Sequence, residues 1–309
     1  MCMKQPFFIL SVLIDGPKGS GDKIDVYLQP LIEELKELWN EGVATFDALP
    51  NQMFQMHAAL LWTINDFPAY VNLSGWSTKG EYACPCCNTK KVSCWLKHGK
   101  KHSYIGHRRF LPSNHKFRKD RVSFDGKREW GSKPKLLSGS ELLHQLDSED
   151  ILTRCKIDDL KKRQQRQRER GTSKSRSHNW KKKSIFYELP YWKHNLIRHN
   201  LDVMHIEKNV CDNVLWTLLG VVGKSKDNVS APRDLQEMNI RKPLHVQSKG
   251  SNKVYLPPAQ FTMIKNEKDI FLKVLKGVNV PDGYASYISR RVHLEDRSIG
   301  GLKSHDSHI

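Results

Sequence analysis

The 309 residues, 38% of them apolar, suffice for one large domain or two modest ones with a core. A formal charge of +18 and an isoelectric point near 9.6 make nucleic acid the first partner to expect; no run is long enough to span a bilayer and no basic amphipathic helix stands out, so no membrane partner is expected. Seven cysteines, an odd number with three crowded into 84–87, exclude a disulfide framework and point to a reducing compartment with metal ligation.

The opening Met1–Ile14 superficially resembles a signal peptide but lacks a small-residue cleavage site, and an intracellular, nuclear protein is expected. Within it, Phe7 to Ile14 reads as a strand buried on both faces, bounded by Gly16-Pro17. Ile24, Leu28, Leu31, Leu35 and Leu38 recur at helical spacing, with Asp22 or Asp25 as the start and Gly42 just past the end. Val43–Leu49 and Phe54–Ile64 read as strands, the second also compatible with a helix. The order strand, helix, strand, then Asp66 predicts a parallel pairing through a right-handed crossover, with the acid at the carboxyl end of the sheet.

From Lys79 to about Lys135 apolar periodicity fades and Gly, Pro, Ser, His and basic residues dominate, as in an irregular insertion that metal ligation could order. A short helix fits within Leu142–Leu160, followed by a basic linker that runs through Lys161–Arg170 to Lys181–Lys183. Order returns at Ile185–Trp192. Leu196–Leu219 then reads as a helix stopped by Gly220, and Ala259–Leu275 as one more.

Four groups of residues could carry chemistry. Asp66 is a candidate ligand for magnesium in phosphoryl transfer, although Asn65-Asp66-Phe67-Pro68 would also serve simply as a turn. Cys84 and Cys87 are candidate zinc ligands, with Cys86 a spare thiol; of the four histidines downstream, His107 and His115 are favoured as partners because they flank Arg108 and Arg109 beyond a compact loop. Asp202 and His205, three apart on a helix, could form a metal pair or a hydrogen-bonded acid and imidazole, or a plain polar stripe. Arg108, Arg109, Lys161, Lys162, Arg163, Lys181, Lys182 and Lys183 are candidates for phosphate contact, the linker lysines also for nuclear localisation or for a solvated linker with neither role.

Six stretches together carry a family resemblance: Ile24–Leu31; Leu61-Trp-Thr-Ile-Asn-Asp-Phe-Pro-Ala-Tyr70; Asn72-Leu-Ser-Gly-Trp76 with Cys84-Pro-Cys-Cys87; Gly106-His-Arg-Arg-Phe-Leu-Pro112; Leu201-Asp-Val-Met-His-Ile-Glu-Lys-Asn-Val210; and Gly301-Leu-Lys-Ser-His-Asp306. In this order they resemble the transposase of plant CACTA (En/Spm-type) DNA transposons. The resemblance implies an α/β fold with a partial ribonuclease-H-like transposase core and a zinc-stabilised, irregular basic insertion. It implies segments 1–78 (core, ending at the second catalytic acid), 79–135 (Cys/His-rich insertion), 136–184 (basic linker) and 185–309 (helical part of the catalytic region).

The implied activity is strand cleavage and transfer at transposon ends by Asp-Asp-Glu/Asp chemistry with Mg2+ or Mn2+, and the implied partners are DNA and an element-encoded accessory DNA-binding protein. Asp66 matches the second catalytic acid, Cys84 and Cys87 the Cys-x-x-Cys motif, and Asp202 with His205 the Asp-x-x-His motif. The first acid is expected on a strand before Cys2–Phe7 and the third beyond Ile309; Asp15 follows the wrong strand, and Glu207 is a poor substitute. With one acid of three at hand, the chain alone is expected to be inactive. The competing expectations are a non-catalytic DNA-binding or regulatory remnant and a decayed product without a stable fold.

Overall fold

Helix α1, Ile24–Asn40, forms where the apolar spacing predicts it, with Ile32 fully buried on its inner face and Gly42 turning the chain at φ +73° just beyond. Its N-cap position is Lys23, which makes no side-chain capping bond. The α-helix continues directly from a 3-10 turn, Gly21–Lys23, and the Asp25 carboxylate pairs with Lys182 at 2.6 Å. The computed structural model describes all residues except 1–8, 16–18, 91, 149–178, 222, 226–227, 249–253, 260, 280, 282–286 and 308–309. Lys161, Lys162 and Arg163 therefore lie outside the described residues.

After α1 come β1 (Val43–Asp47), β2 (Gln52–Met56), β3 (Thr63–Asn65), α2 (Phe67–Ser74), β4 (Ser93–Leu96), β5 (Lys101–Tyr104), α3 (Lys116–Lys119) and α4 (Gly139–Ser148). Then follow β6 (His199–Leu201), α5 (Val203–Leu219), α6 (Ser230–Glu237), β7 (Gln247–Ser248), β8 (Val254–Tyr255), α7 (Lys265–Gly277), β9 (Val292–His293) and β10 (Ser298–Ile299). The result is a mixed α/β chain whose described strands form only two-stranded sheets. No described helix is long and apolar enough to cross a membrane.

Contacts divide the chain into two units, residues 1–90 with 134–201 and residues 91–133 with 202–309. In the first unit α1 packs on the tight turns at Ile185–Glu188 and Trp192–His194. Ile32, Phe186, Leu189 and Trp192 close this core, and Phe186 stacks on Trp192 at 5.0 Å between ring centroids. In the second unit α5 supplies Leu215 and Leu219, α7 supplies Leu272 and Leu275, and Ile288, Val292 and Ile299 complete the cluster. The closing Gly301–Asp306 stretch ends in a 3-10 turn in which Asp306, 1% exposed, accepts the Lys303 N–H at 2.7 Å and faces Arg291 at 3.5 Å.

Three expected elements come out differently. Of the anticipated first strand, Phe7 to Ile14, residues 7 and 8 lie outside the described residues; residues 9–14 have no regular structure, with Ile9, Leu10 and Leu13 exposed, since an apolar run becomes a buried strand only where a neighbour pairs with it. Phe54–Ile64 is split. Its start belongs to β2, which pairs antiparallel with β1 across a turn containing Asn51 at φ +53°, and its end is β3. The partner of β3 is β6, in parallel, with Thr63 opposite His199 and Asn65 opposite Leu201. Residues 199–201, read as the start of a helix, are thus a strand, and α5 begins only after Asp202. Likewise α7 begins at Lys265 rather than at Ala259.

Candidate active site

The β3–β6 pair is built from polar residues that satisfy one another. Asn65, 5% exposed, donates from its amide to the Thr63 hydroxyl at 2.8 Å and to the Asn200 carbonyl at 3.3 Å. The His199 ring bonds through Nδ1 to the Thr63 hydroxyl at 2.8 Å and through Nε2 to the Ser184 hydroxyl at 3.4 Å. Burial, with the Arg198 charge adding to it, pushes the His199 pKa down to about 3, so the ring is neutral at physiological pH.

A histidine held this way makes folding pH-dependent in a stated direction. Between its unfolded value near 6.5 and its folded value near 3 the unfolded chain binds the extra proton, so stability falls as pH falls through that window. The loss should be about 1 kcal/mol per pH unit. Urea denaturation from pH 7 to pH 4 measures it, and His199→Asn should flatten the slope relative to the parent chain; parallel slopes would refute the assignment.

Both strands of the pair end level, and an aspartate follows each. Asp66, in extended backbone geometry at φ −70° and ψ 171°, caps α2: its Oδ1 accepts the Ala69 N–H at 2.8 Å, and Pro68 occupies the first turn, where its missing N–H costs nothing. Asp202 caps α5, its Oδ1 accepting the Met204 N–H at 2.9 Å. Its Oδ2 lies 2.7 Å from His205 Nδ1, a bond that holds the Asp202 carboxyl below the usual carboxylate range. The turn and ligand readings of Asp66 are therefore compatible, since a strand-to-helix turn is what aims the carboxylate. Asp202 and His205 meet not as a stripe along a helix but as a cap and a first-turn side chain.

The zinc candidates fall in different surroundings. Cys84 and Cys87 sit in a tight turn, with the Asn88 N–H donating to the Cys84 carbonyl at 3.1 Å; hydrogen bonding from the Cys86 thiol holds the Cys84 thiol below the usual thiol range. His107 belongs to the 3-10 turn Gly106–Phe110 and lies 6.1 Å from the Phe124 ring, and His115 caps α3 by accepting the Phe117 N–H at Nδ1. Among the described residues, the one group of three or more His, Cys, Asp or Glu with ligand atoms within 4.8 Å of one another is His98, Asp234 and Glu237, and the four expected ligands are not such a group. That group was invisible in the sequence because its members lie 136 residues apart. Its main task is structural: Asp234, 4% exposed, accepts the His98 and Gly99 N–H groups at 2.8 Å each and so clamps the β4–β5 turn, while Glu237 pairs with Lys97.

The basic candidates also divide. Arg108 is 2% exposed and donates to the carbonyls of Phe117, Asp120 and Lys127 and to the Asp125 carboxylate, with its guanidinium 4.4 Å from the Phe124 ring centroid. So occupied, it organises the 106–131 loop from within. Arg109 is buried too and lies over Phe110. Arg118, which no local motif singled out, does similar work by donating to the carbonyls of Arg108, Arg109, Leu111 and Gly131. Lys182 and Lys183 face Asp25 and Asp147, and Lys181 is exposed, its backbone N–H bonded to the Gly75 carbonyl.

Residues 1–149 match the model of transposase family tnp2. The likeness to the tnp2 transposases thus covers just under half of the chain. The segment similar to the tnp2 transposases contains β3, Asp66, the cysteine turn and the arginine-held loop and ends next to α4; Asp202 and His205 lie beyond it. No curated protein and no solved structure matches the chain.

Proposed function

We propose that the chain is a CACTA-type transposase polypeptide of the nucleus with a partial ribonuclease-H-like core, whose chemistry is metal-dependent cleavage and transfer of DNA strands at transposon ends. The observation that carries this reading is the place of Asp66, at a helix start directly after β3, one strand of a parallel pair. Carboxyl ends of parallel strands are where α/β sheets gather their chemistry. The tnp2 match over residues 1–149 and the charge of +18 support DNA as the substrate.

Asp66 is the acid assigned to magnesium or manganese, which when bound would supply the Lewis acid that neutralises charge on a phosphate, while Asp202 and His205 are assigned to the Asp-x-x-His motif. Hard carboxylate oxygens suit such an ion, and one or two carboxylates with waters and phosphate satisfy a single magnesium. Asp66 has one oxygen committed to its cap, and His205 fixes the orientation of Asp202. One acid of three does not satisfy a two-ion site, so in this reading the chain alone does not cut DNA. Any zinc is held chiefly through Cys84 and Cys87, and recognition of the transposon ends falls to an accessory DNA-binding protein. A second reading, a non-catalytic DNA-binding remnant, is favoured by the way capping and His205 together engage both oxygens of Asp202.

Asp66→Asn is the informative variant, because asparagine caps a helix as well as aspartate does, whereas Asp66→Ala costs about 1 kcal/mol in the cap alone. We expect DNA binding that weakens steeply with salt, no plasmid nicking in Mg2+ or Mn2+, and Mn2+ binding by electron paramagnetic resonance about tenfold weaker in Asp66→Asn. Unchanged Mn2+ affinity would leave the remnant reading. Asp66-dependent nicking would overturn the inactivity, and absence of DNA binding at low salt would overturn both readings.

A further inference from the structure

The first unit contains a cavity of about 220 Å³ that plays no part in the reaction proposed above. Four aromatic side chains wall it: Tyr70, Trp76, Trp180 and Tyr187. Trp76 and Trp180 are 2% and 4% exposed and meet edge to face at 4.9 Å between centroids, their backbones joined by an antiparallel bridge. Both indole N–H groups are spent inward, on the Tyr82 carbonyl and the Gln145 side chain, so the rings are held rigidly.

Among the polar groups at the wall, Tyr70 and Arg198 bear most on what could enter. The Tyr70 hydroxyl belongs to a residue only 8% exposed. Burial raises its pKa, so it stays a donor. Arg198 lines the same space with its guanidinium held by the Asn195 and Leu137 carbonyls, which fixes a positive charge beside the rings. At the mouth, Ile197 is 54% exposed.

These features select the occupant. The volume lies below the roughly 300–1,000 Å³ of pockets for drug-sized ligands, which limits it to one flat ring system. A hydrocarbon would offer the Tyr70 hydroxyl no acceptor, whereas a heteroaromatic ring offers acceptors at its edge and a face for stacking. The cavity abuts β6, the strand that leads to Asp202, in a chain of charge +18. We propose that this cavity receives an unpaired nucleobase of the bound DNA, taken out of the stack as enzymes acting on DNA do when they must hold a strand locally open. This rests on the DNA-binding part of the reading above and is independent of metal and of Asp66.

The test uses the full chain without divalent metal and two duplexes of one sequence. One carries 2-aminopurine opposite an abasic position; the other is fully paired. Binding followed by anisotropy should be about tenfold tighter for the unpaired duplex, the low end of what one stacked base contributes, with quenching of 2-aminopurine fluorescence. Ile197→Trp fills the mouth from an exposed position that leaves the core intact. It should shrink the gap to less than threefold while affinity for the paired duplex stays unchanged. Tyr70→Phe should retain the quenching and lose part of the gap. Equal affinities in the parent chain, or an undiminished gap in Ile197→Trp, overturn the proposal and leave DNA binding standing; failure to bind either duplex removes the DNA-binding reading and this one with it.

Discussion

Gly75→Ala should destabilise the first unit by about 3 kcal/mol, among the largest effects of any single substitution in the chain. Gly75 ends α2 at φ +79°, a left-handed conformation that costs an L side chain about 1 kcal/mol even in open space. Here the space is closed as well, because an added Cβ would lie 2.0 Å from the Lys182 carbonyl oxygen. That oxygen cannot swing aside, since the same backbone stretch donates the Lys181 N–H to the Gly75 carbonyl at 2.8 Å and carries the Trp76–Trp180 bridge. Urea denaturation followed by tryptophan fluorescence would report the change close to its source. A loss below 1 kcal/mol would show that the strands around Gly75 yield more easily than their bonds imply.

Arg108→Ala should cost a similar amount, about 3 kcal/mol, for an electrostatic reason. Its guanidinium is the common partner of three carbonyls and of Asp125, drawn from residues 117 to 127, and its removal leaves these acceptors facing a cavity without a donor. Arg108→Lys should recover little, because an ammonium cannot reach several acceptors in one plane as the guanidinium fork does. The decisive comparison sets stability against DNA affinity. A guanidinium that contacts phosphate would lower affinity and its salt slope by about one while leaving the urea midpoint in place. One that organises the loop would shift the midpoint first.

These two residues also show what the chain disclosed before folding. Gly75 lies in Asn72-Leu-Ser-Gly-Trp76, a stretch noticed for its resemblance, but nothing local told that a carbonyl from residue 182 would press on it. Arg108 stood beside Arg109 in a basic loop, where charge alone suggested phosphate. Which way a guanidinium points depends on acceptors supplied by the fold, and burial turned this one inward. Asp66 was legible as a turn residue from Asn-Asp-Phe-Pro, and it is one: it caps α2. Its position level with the residue after Leu201 was not legible, because β3 and β6 have three residues each and pair across 136 positions of sequence.

The periodicity of α1, the glycine stops after α1 and α5, and the existence of a helix after Asp202 were settled by the sequence alone. Helical geometry is a matter of neighbours three and four positions apart, and its ends are set by side chains and glycines within a turn. The tertiary structure alone decided that β3 pairs with β6, that residues 9–15 stay outside any sheet, and that Arg108 and Arg118 hold a loop from inside. Strand pairing and buried charge depend on partners far along the chain, and no window of sequence contains both halves of such a contact.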